Sequence, residues 1–346
     1  MTNKKYAVVL FNLGGPDSLD AVEPFLFNLF YDPAIISVPN PIRFFLAKLI
    51  SKRRAPHAKE IYKHMGGKSP IRELTIEQAE SLEKELNQSG MGEYKVFISM
   101  RYWHPFSSET VTEVKKYNPD EVLLLPLYPQ FSTSTTGSSI RNWQEESKKQ
   151  GLSAASKVIG CYSTNTGFVK AYAELIKEKY QEAAKFGTPK LLFSAHGLPV
   201  KLIKAGDPYQ NQVEKSTAAI VKELNIENLD YIITYQSKVG PLEWLTPSTD
   251  SIIEQTAKEG RVIIIVPVAF VSEHSETLVE LDIEYRELAE KNGAKGYFRV
   301  PAVATHSTFI KGLAELCLKA NANIAPGFGE EYCADKFKKC ICKGLG

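Results

Sequence analysis

At 346 residues, with 42 basic and 40 acidic side chains and a net charge of +2, the chain is long enough for two medium domains or one large α/β unit. That balance excludes the basic footprint of a nucleic-acid-binding protein, and no apolar run reaches the roughly 18 residues a membrane span needs. The N-terminal MTNKKYAVVLFN has no cleavable signal pattern, so a cytoplasmic location is expected, and five cysteines, three of them in the last fourteen residues, argue against a disulfide framework there.

Short β-rich apolar runs alternate with helical patterns along the chain. Strands are expected at 6–12, 94–100, 122–127, 157–160, 191–195, 231–234, 262–268 and 297–300, with helices between them, as in GFVKAYAELIKEKYQEAAK and PYQNQVEKSTAAIVKELN. Continuous apolar strands separated by helices predict an α/β fold with parallel sheets covered on both faces. Several strands run into Gly, Pro or a polar group, which marks the edge where sites of such sheets form.

The two halves read as weak copies. LFNLGGP near the start matches LFSAHGLP at 192–199, and LPLYPQFSTSTTGSS from Leu125 matches VPVAFVSEHSET from Val266. From Leu13 to Arg101 is 88 residues but from His196 to Gln236 only 40, so a surplus of 48 sits in the first half. PNPIRFFLAKLISKRRAP is the candidate insertion, with Phe44, Phe45, Leu46, Leu49 and Ile50 beside Arg43, Lys48, Lys52, Arg53 and Arg54. That mixture suits an amphipathic element meeting a membrane surface or an apolar anionic ligand; a core helix with a basic end is the alternative.

The densest chemistry follows the most apolar strand. Glu276, Glu280 and Glu284 are spaced four apart, which stacks like charges on one helix face at a cost of a few tenths of a kcal/mol per pair. A ladder that attracts and relays a cation, headed by His274, explains the ridge; a solvated helix face is the alternative. His196 lies just past another buried strand, where a near-neutral pKa suits it to accept or pass a proton, although a lone histidine is more often structural. YQSKVGPLEW offers Gln236, Ser237, Lys238 and Trp244 at a third strand end, and SMRYWHP offers Arg101 and Tyr102 at a fourth. Trp244 suits the core or a planar aromatic substrate, and Lys238 a substrate carboxylate. No GxGxxG or GxxxxGK[ST] is present, so nucleotide binding has no support. Cys333, Cys340 and Cys342, spaced C-x6-C-x-C, are too few for a four-thiolate site, so Cys161 or Cys317 would have to join them around zinc or an iron–sulfur cluster.

Taken in order, LFNLGGP, SKRRAP, GGKSPI, RYWHP, LPLYPQFSTSTTGSS, FSAHGLP, YQSKVGPLEWLTP and VSEHSETLVELDIEY resemble the ferrochelatases, which insert ferrous iron into a porphyrin. The resemblance implies two Rossmann-like halves enclosing a cleft: an N-terminal domain at 1–160 with a membrane and porphyrin lip at about 35–70, a C-terminal domain at 161–310, and a helix with a cysteine-bearing tail at 311–346. It gives His196, Glu276 and His274 the catalytic centre, with His196 as pyrrole-proton acceptor or metal ligand and Glu276 beside it on the Fe2+ substrate. Glu280 and Glu284 match an iron path wound as a π-helix, whereas Asp282, four before Arg286, reads as a surface pair. Leu13, Tyr62, Arg101, Tyr102 and Trp244 match positions that hold the macrocycle; Arg53, Arg54 and Lys238 match basic positions near its propionates. The tail resembles that of members carrying a [2Fe–2S] cluster, which implies Cys161, Cys333, Cys340 and Cys342 as ligands, with zinc as the alternative. The animal members' internal cysteine, in the STTGSS loop, is missing, since Thr133 or a neighbour stands there.

The expected partners are protoporphyrin IX, ferrous iron and a membrane surface reached through the lip, on the inner face of the membrane; a homodimer is compatible with the sequence, and nucleic acid is not a partner. The rival readings are a coproporphyrin ferrochelatase, a cobalt or nickel chelatase of the same fold, and a porphyrin or haem carrier without chemistry.

Overall fold

Apolar residues on every position of a strand have nowhere to go but the middle of a covered sheet, and the most apolar runs take those places. The computed structural model describes residues 4–238, 240–322 and 336–341. Its eight strands are β1 (Lys5–Asn12), β2 (Glu93–Met100), β3 (Glu121–Pro126), β4 (Ala155–Val158), β5 (Pro189–His196), β6 (Tyr231–Gln236), β7 (Val262–Pro267) and β8 (Gly296–Arg299). They form two four-stranded parallel sheets, ordered β2-β1-β3-β4 and β6-β5-β7-β8. The central strands carry the VVLF, VLLL, LLFSA and VIIIV runs and are buried almost throughout, whereas the edge strand EYKVFISM is partly exposed.

The second order is the first shifted by four strands, so the weak internal repeat in the sequence is a repeat of topology. The surplus lies in the β1-to-β2 connection, which holds helices Val22–Tyr31, Asn40–Lys63 and Ile71–Gln88; the β5-to-β6 connection holds only Val200–Lys204 and Tyr209–Leu224. All eight expected strands form, with shifted ends. β3 and β7 stop at Pro126 and Pro267, one residue short of the expected ends, although Leu127 N still donates to Phe11 O at 2.7 Å and Val268 N to Ser194 O at 3.1 Å. β4 lies two residues earlier than expected, its register pairing Ala155–Val158 with Glu121–Leu124. The two helical patterns fold as Thr166–Ala183, where the Asn165 side chain accepts from Phe168 N at 3.1 Å as N-cap, and Tyr209–Leu224.

The chain divides into two compact units, the first built on Met1–Cys161 and the second on Tyr162–Gly312, with the described residues 313–322 counted with the first and 336–341 with the second. Within the first unit, Lys157 Nζ donates to Ala320 O at 3.4 Å, and Asn321 Nδ2 donates to Tyr94 OH at 2.6 Å. Among the described residues, no helix is long and apolar enough to cross a membrane.

The candidate insertion folds as one helix, Asn40–Lys63, that buries Ala47, Ser51, Ala55 and Tyr62 and leaves its apolar N-terminal part open. Phe45 is 70% exposed, and Ile42, Phe44 and Leu49 also stand open to solvent, followed along the helix by the exposed Lys52, Arg53 and Arg54. Phe44 packs edge-on against Phe27, Tyr31 and Phe45, so the apolar tip is a connected aromatic cluster.

Candidate active site

His196 is the last residue of β5, one residue beyond the expected strand end, because its backbone pairs in register with Gln236 at the end of β6. The parallel partner extends the strand by one residue and fixes the direction in which the imidazole leaves the sheet. Its Nδ1 lies 3.0 Å from Glu276 Oε2, and Tyr209 OH donates to its backbone carbonyl at 3.0 Å. A carboxylate only accepts, so Nδ1 carries a hydrogen and, in the neutral ring, Nε2 keeps the lone pair. The two side chains retain 37% and 27% of their surface, enough for a ligand to reach them.

Glu276 begins a nine-residue π-helix, Glu276–Glu284. His274 stands before it, with its backbone N donating to Thr277 Oγ1 at 3.0 Å. On a continuous α-helix His274 and Glu276 would lie about 200° apart; starting the helix after His274 removes that conflict. His274 Nδ1 donates to Ser272 O at 3.1 Å, and its Nε2 lies 3.9 Å from Glu276 Oε2. π-turns inside helices cost stability and concentrate at functional sites.

Glu280, one four-residue step along, is held by four donors: Gln236 Nε2 at 3.1 Å, Ser237 N at 3.0 Å, Ser237 Oγ at 2.6 Å and Tyr285 OH at 3.1 Å. Glu284, the next step, is exposed, so the ridge runs from the buried His274 outward to solvent. The electrostatics differ along it. Burial would raise the Glu276 carboxyl, but the His196 charge and hydrogen bond, with a smaller contribution from His274, outweigh it and hold the pKa well below the usual carboxylate range. Glu280 is pushed upward, by burial first and then by the Glu276 charge, against the pull of its donors. Burial lowers the His196 pKa, but the Glu276 carboxylate overcomes it and leaves the imidazole above its ordinary value.

Asp282 is not the surface pair the sequence suggested. It bridges Arg286 Nη2 at 2.6 Å and Arg299 Nε at 3.2 Å, and Arg299 also binds Glu273 at 2.8 Å. Glu273 Oε1 in turn accepts from Ala302 N at 3.0 Å, and Arg286 Nη1 donates to Tyr297 O at 2.8 Å. The i,i+4 spacing to Arg286 was visible in the sequence; the third partner arrives from β8, where only the tertiary fold places it.

Trp244 packs over Gly197, where a Cβ would come within 2.9 Å of Gln236 O and 3.2 Å of the indole, so only glycine fits between β6 and that ring. Lys238 is exposed. In the first unit, Arg101 donates from Nε to Ser138 Oγ at 2.7 Å and pairs with the buried Asp32 at 2.8 Å. Tyr102, 1% exposed, donates to Asp32 at 2.9 Å and packs with Tyr62, Val22 and Phe25, with Leu13 against that cluster. Among the described residues, no three His, Cys, Asp or Glu groups form a ready metal cage.

A ferrochelatase family model matches residues 5–321. The chain belongs to the ferrochelatase family. It is 53% identical over 344 residues to a ferrochelatase of Pelagibacter ubique, covering 98% of each chain, and 51% identical to one of Rickettsia bellii, covering 99% of this chain and 96% of that one. A Wolbachia ferrochelatase is 55% identical over 314 residues, covering 91% of this chain and 99% of its own. Among solved structures, the sirohydrochlorin chelatase SirB from Bacillus subtilis subspecies spizizenii superposes with a TM-score of 0.51 at 11% identity, covering 92% of this chain and 96% of that one, which shows likeness of fold.

Gln236 and Ser237 were expected at a strand end without a target, and Asp32, Ser138 and Tyr285 carried no expectation. A buried aspartate after an aromatic helix end carries no local pattern; its partner lies 106 residues away at Ser138. Of the expected sulfur ligands, Cys161 and Cys340 are buried, and Cys333 and Cys342 lie outside the described residues. Segment 336–341 packs on Gly206, a left-handed glycine (φ +95°) whose Cβ would meet Lys338 N at 3.0 Å; Lys339 N donates to Gly206 O at 3.2 Å. Burial pushes the Cys317 thiol up to about 12, which keeps it protonated and suits it to the core.

Proposed function

We propose that the protein inserts Fe2+ into protoporphyrin IX to give protohaem. The observation that carries this reading is the His196 Nδ1–Glu276 contact at 3.0 Å on a surface a ligand can reach. Insertion exchanges one Fe2+ for two pyrrole protons. His196 Nε2 accepts a proton, and Glu276, already bonded to Nδ1, stabilises the imidazolium that results. The same carboxylate receives the metal, with His274 Nε2 3.9 Å from it on the buried side; His196 has a single free lone pair, at Nε2, so it ligates the metal only before it takes the proton. Glu280 and the exposed Glu284 continue the row of carboxylates to solvent, a gradient that suits passage of a hydrated cation inward.

Bending the flat macrocycle must come from binding energy spent on the distorted form. Within the first unit, Leu13, Tyr62, Arg101 and Tyr102 are the macrocycle positions; the Tyr102 ring lies under the Arg101 guanidinium at 5.0 Å, and Tyr62 packs in the same core cluster as Tyr102. Within the second, Trp244 is the stacking residue and Lys238 the cation for a propionate, with Arg53 and Arg54 serving the same role on the lip helix. The aromatic tip at Phe44 and Phe45 touches the membrane surface, giving a cytoplasmic protein held peripherally on the inner face.

A [2Fe–2S] cluster would be held by Cys161, Cys333, Cys340 and Cys342. Cys161 and Cys340 are both kept from water, the surroundings that suit thiolate ligands of a cluster. Such a cluster supplies one-electron redox chemistry when bound.

The deciding experiment measures anaerobic insertion of Fe2+, Co2+ and Ni2+ into protoporphyrin IX and into coproporphyrin. Iron into protoporphyrin IX should be the preferred pair; binding without insertion of any metal would leave a carrier.

A further inference from the structure

One of the donors that hold Glu280 is itself held from below. Gln236 gives its Nε2 to Glu280 Oε2 at 3.1 Å, and its Oε1 accepts from Ser194 Oγ at 2.7 Å. Ser194 Oγ lies 3.0 Å from Thr249 Oγ1, which lies 2.9 Å from Thr234 Oγ1. Ser194, Thr234 and Thr249 are fully buried, and Gln236 nearly so. The arrangement follows from register: Ser194 pairs with Thr234 and His196 with Gln236, so the four side chains form a square on one face of the sheet. A buried polar square beside the apolar runs LLF and VIIIV needs a reason, because buried hydroxyls and amides gain little from being there.

The amide shows the consequence. With Oε1 bound to Ser194, Nε2 must point at Glu280; turned over, it would aim a carbonyl at a carboxylate. Without the Ser194 hydroxyl, Oε1 is a dry acceptor with no donor, and the side chain gains by swinging toward solvent, away from the pose that holds Glu280 beside the His196–Glu276 pair.

We propose that Ser194 is a positioning residue for metal delivery, acting through Gln236 to hold the Glu280 carboxylate where it passes iron to His196 and Glu276. This rests on the reading of Glu280 as part of the iron path. In Ser194→Ala the apparent KM for Fe2+ should rise about five- to tenfold, the loss of one buried hydrogen bond, with kcat and the KM for protoporphyrin IX changed less than about twofold. Ser194→Thr, which restores the hydroxyl, should return the iron KM to within about twofold of the parent. Glu280→Gln should raise the iron KM by itself, and Ser194→Ala should add nothing in that background, since both act on one carboxylate.

Additive effects in the double variant, or an equal rise in both KM values, would mean that Ser194 only supports packing. If Glu280→Gln raises the iron KM and Ser194→Ala does not, the clamp alone is wrong; if Glu280→Gln leaves it unchanged, the iron-path reading falls and the clamp with it. Should Ser194→Ala fail to fold, Gln236→Met, of similar length without the amide, enters the same comparison.

Discussion

His196 Nδ1 and Glu276 Oε2 meet at 3.0 Å although 80 residues separate them, one at the end of a parallel strand and the other on the first turn of a π-helix. The contact fixes which imidazole nitrogen is free. It also makes the two residues one electrostatic unit, with each shifting the other's pKa in the direction that keeps the charged pair.

Removing the proton acceptor should abolish most turnover and spare binding. His196→Ala is expected to lose roughly 10²–10⁴-fold in iron insertion, the usual share of a positioned general base. Porphyrin affinity, followed by fluorescence quenching, should stay close to that of the parent. Full insertion activity in this variant would remove His196 from the mechanism.

The pH dependence follows from the sign of the same coupling. His196 must be neutral to take a proton, and the Glu276 carboxylate holds its pKa above 6.5 despite burial. Insertion by the parent should therefore decline as pH falls through that raised value. Glu276→Gln removes the charge, burial then dominates, and the acid limb of kcat/KM should move to lower pH. The maximal rate should drop far more than porphyrin affinity; equal loss of both would count against a role in handling metal.

Asp282 should matter to folding more than its place on a helix surface suggests. Asp282→Ala leaves the largely buried Arg299 with Glu273 alone. A loss of about 1–3 kcal/mol in urea unfolding is expected, the range for stripping a partner from a hydrogen-bonded buried charge. A change within about 0.5 kcal/mol, the range of ordinary surface substitutions, would return it to the status of a surface pair.

The lip can be tested without the chemistry. Phe44 and Phe45 both replaced by serine should reduce co-sedimentation with anionic liposomes while insertion into detergent-solubilised porphyrin persists. Unchanged sedimentation would place the membrane contact elsewhere or nowhere.

For the tail, anaerobically purified protein should show the visible absorption of an iron–sulfur cluster, and Cys340→Ser should bleach it. A colourless protein holding one zinc per chain would replace the cluster with a structural zinc site.

The eight strands, their parallel arrangement and the internal repeat were legible in the sequence because a central parallel strand must be apolar on both faces, and that need writes a continuous run such as VIIIV. The spacing of Glu276, Glu280 and Glu284 was legible for a similar reason: a helical ridge is a local object. The tertiary structure alone decided who meets whom. It carried His196 into the strand through its register with Gln236, began the π-helix after His274, and brought Arg299 from β8 onto Asp282. It also turned Gln236 and Ser237 from unassigned polar residues into donors for Glu280. Periodicity records which face of an element is buried, whereas a hydrogen bond between two elements depends on their packing and leaves no repeat in the chain.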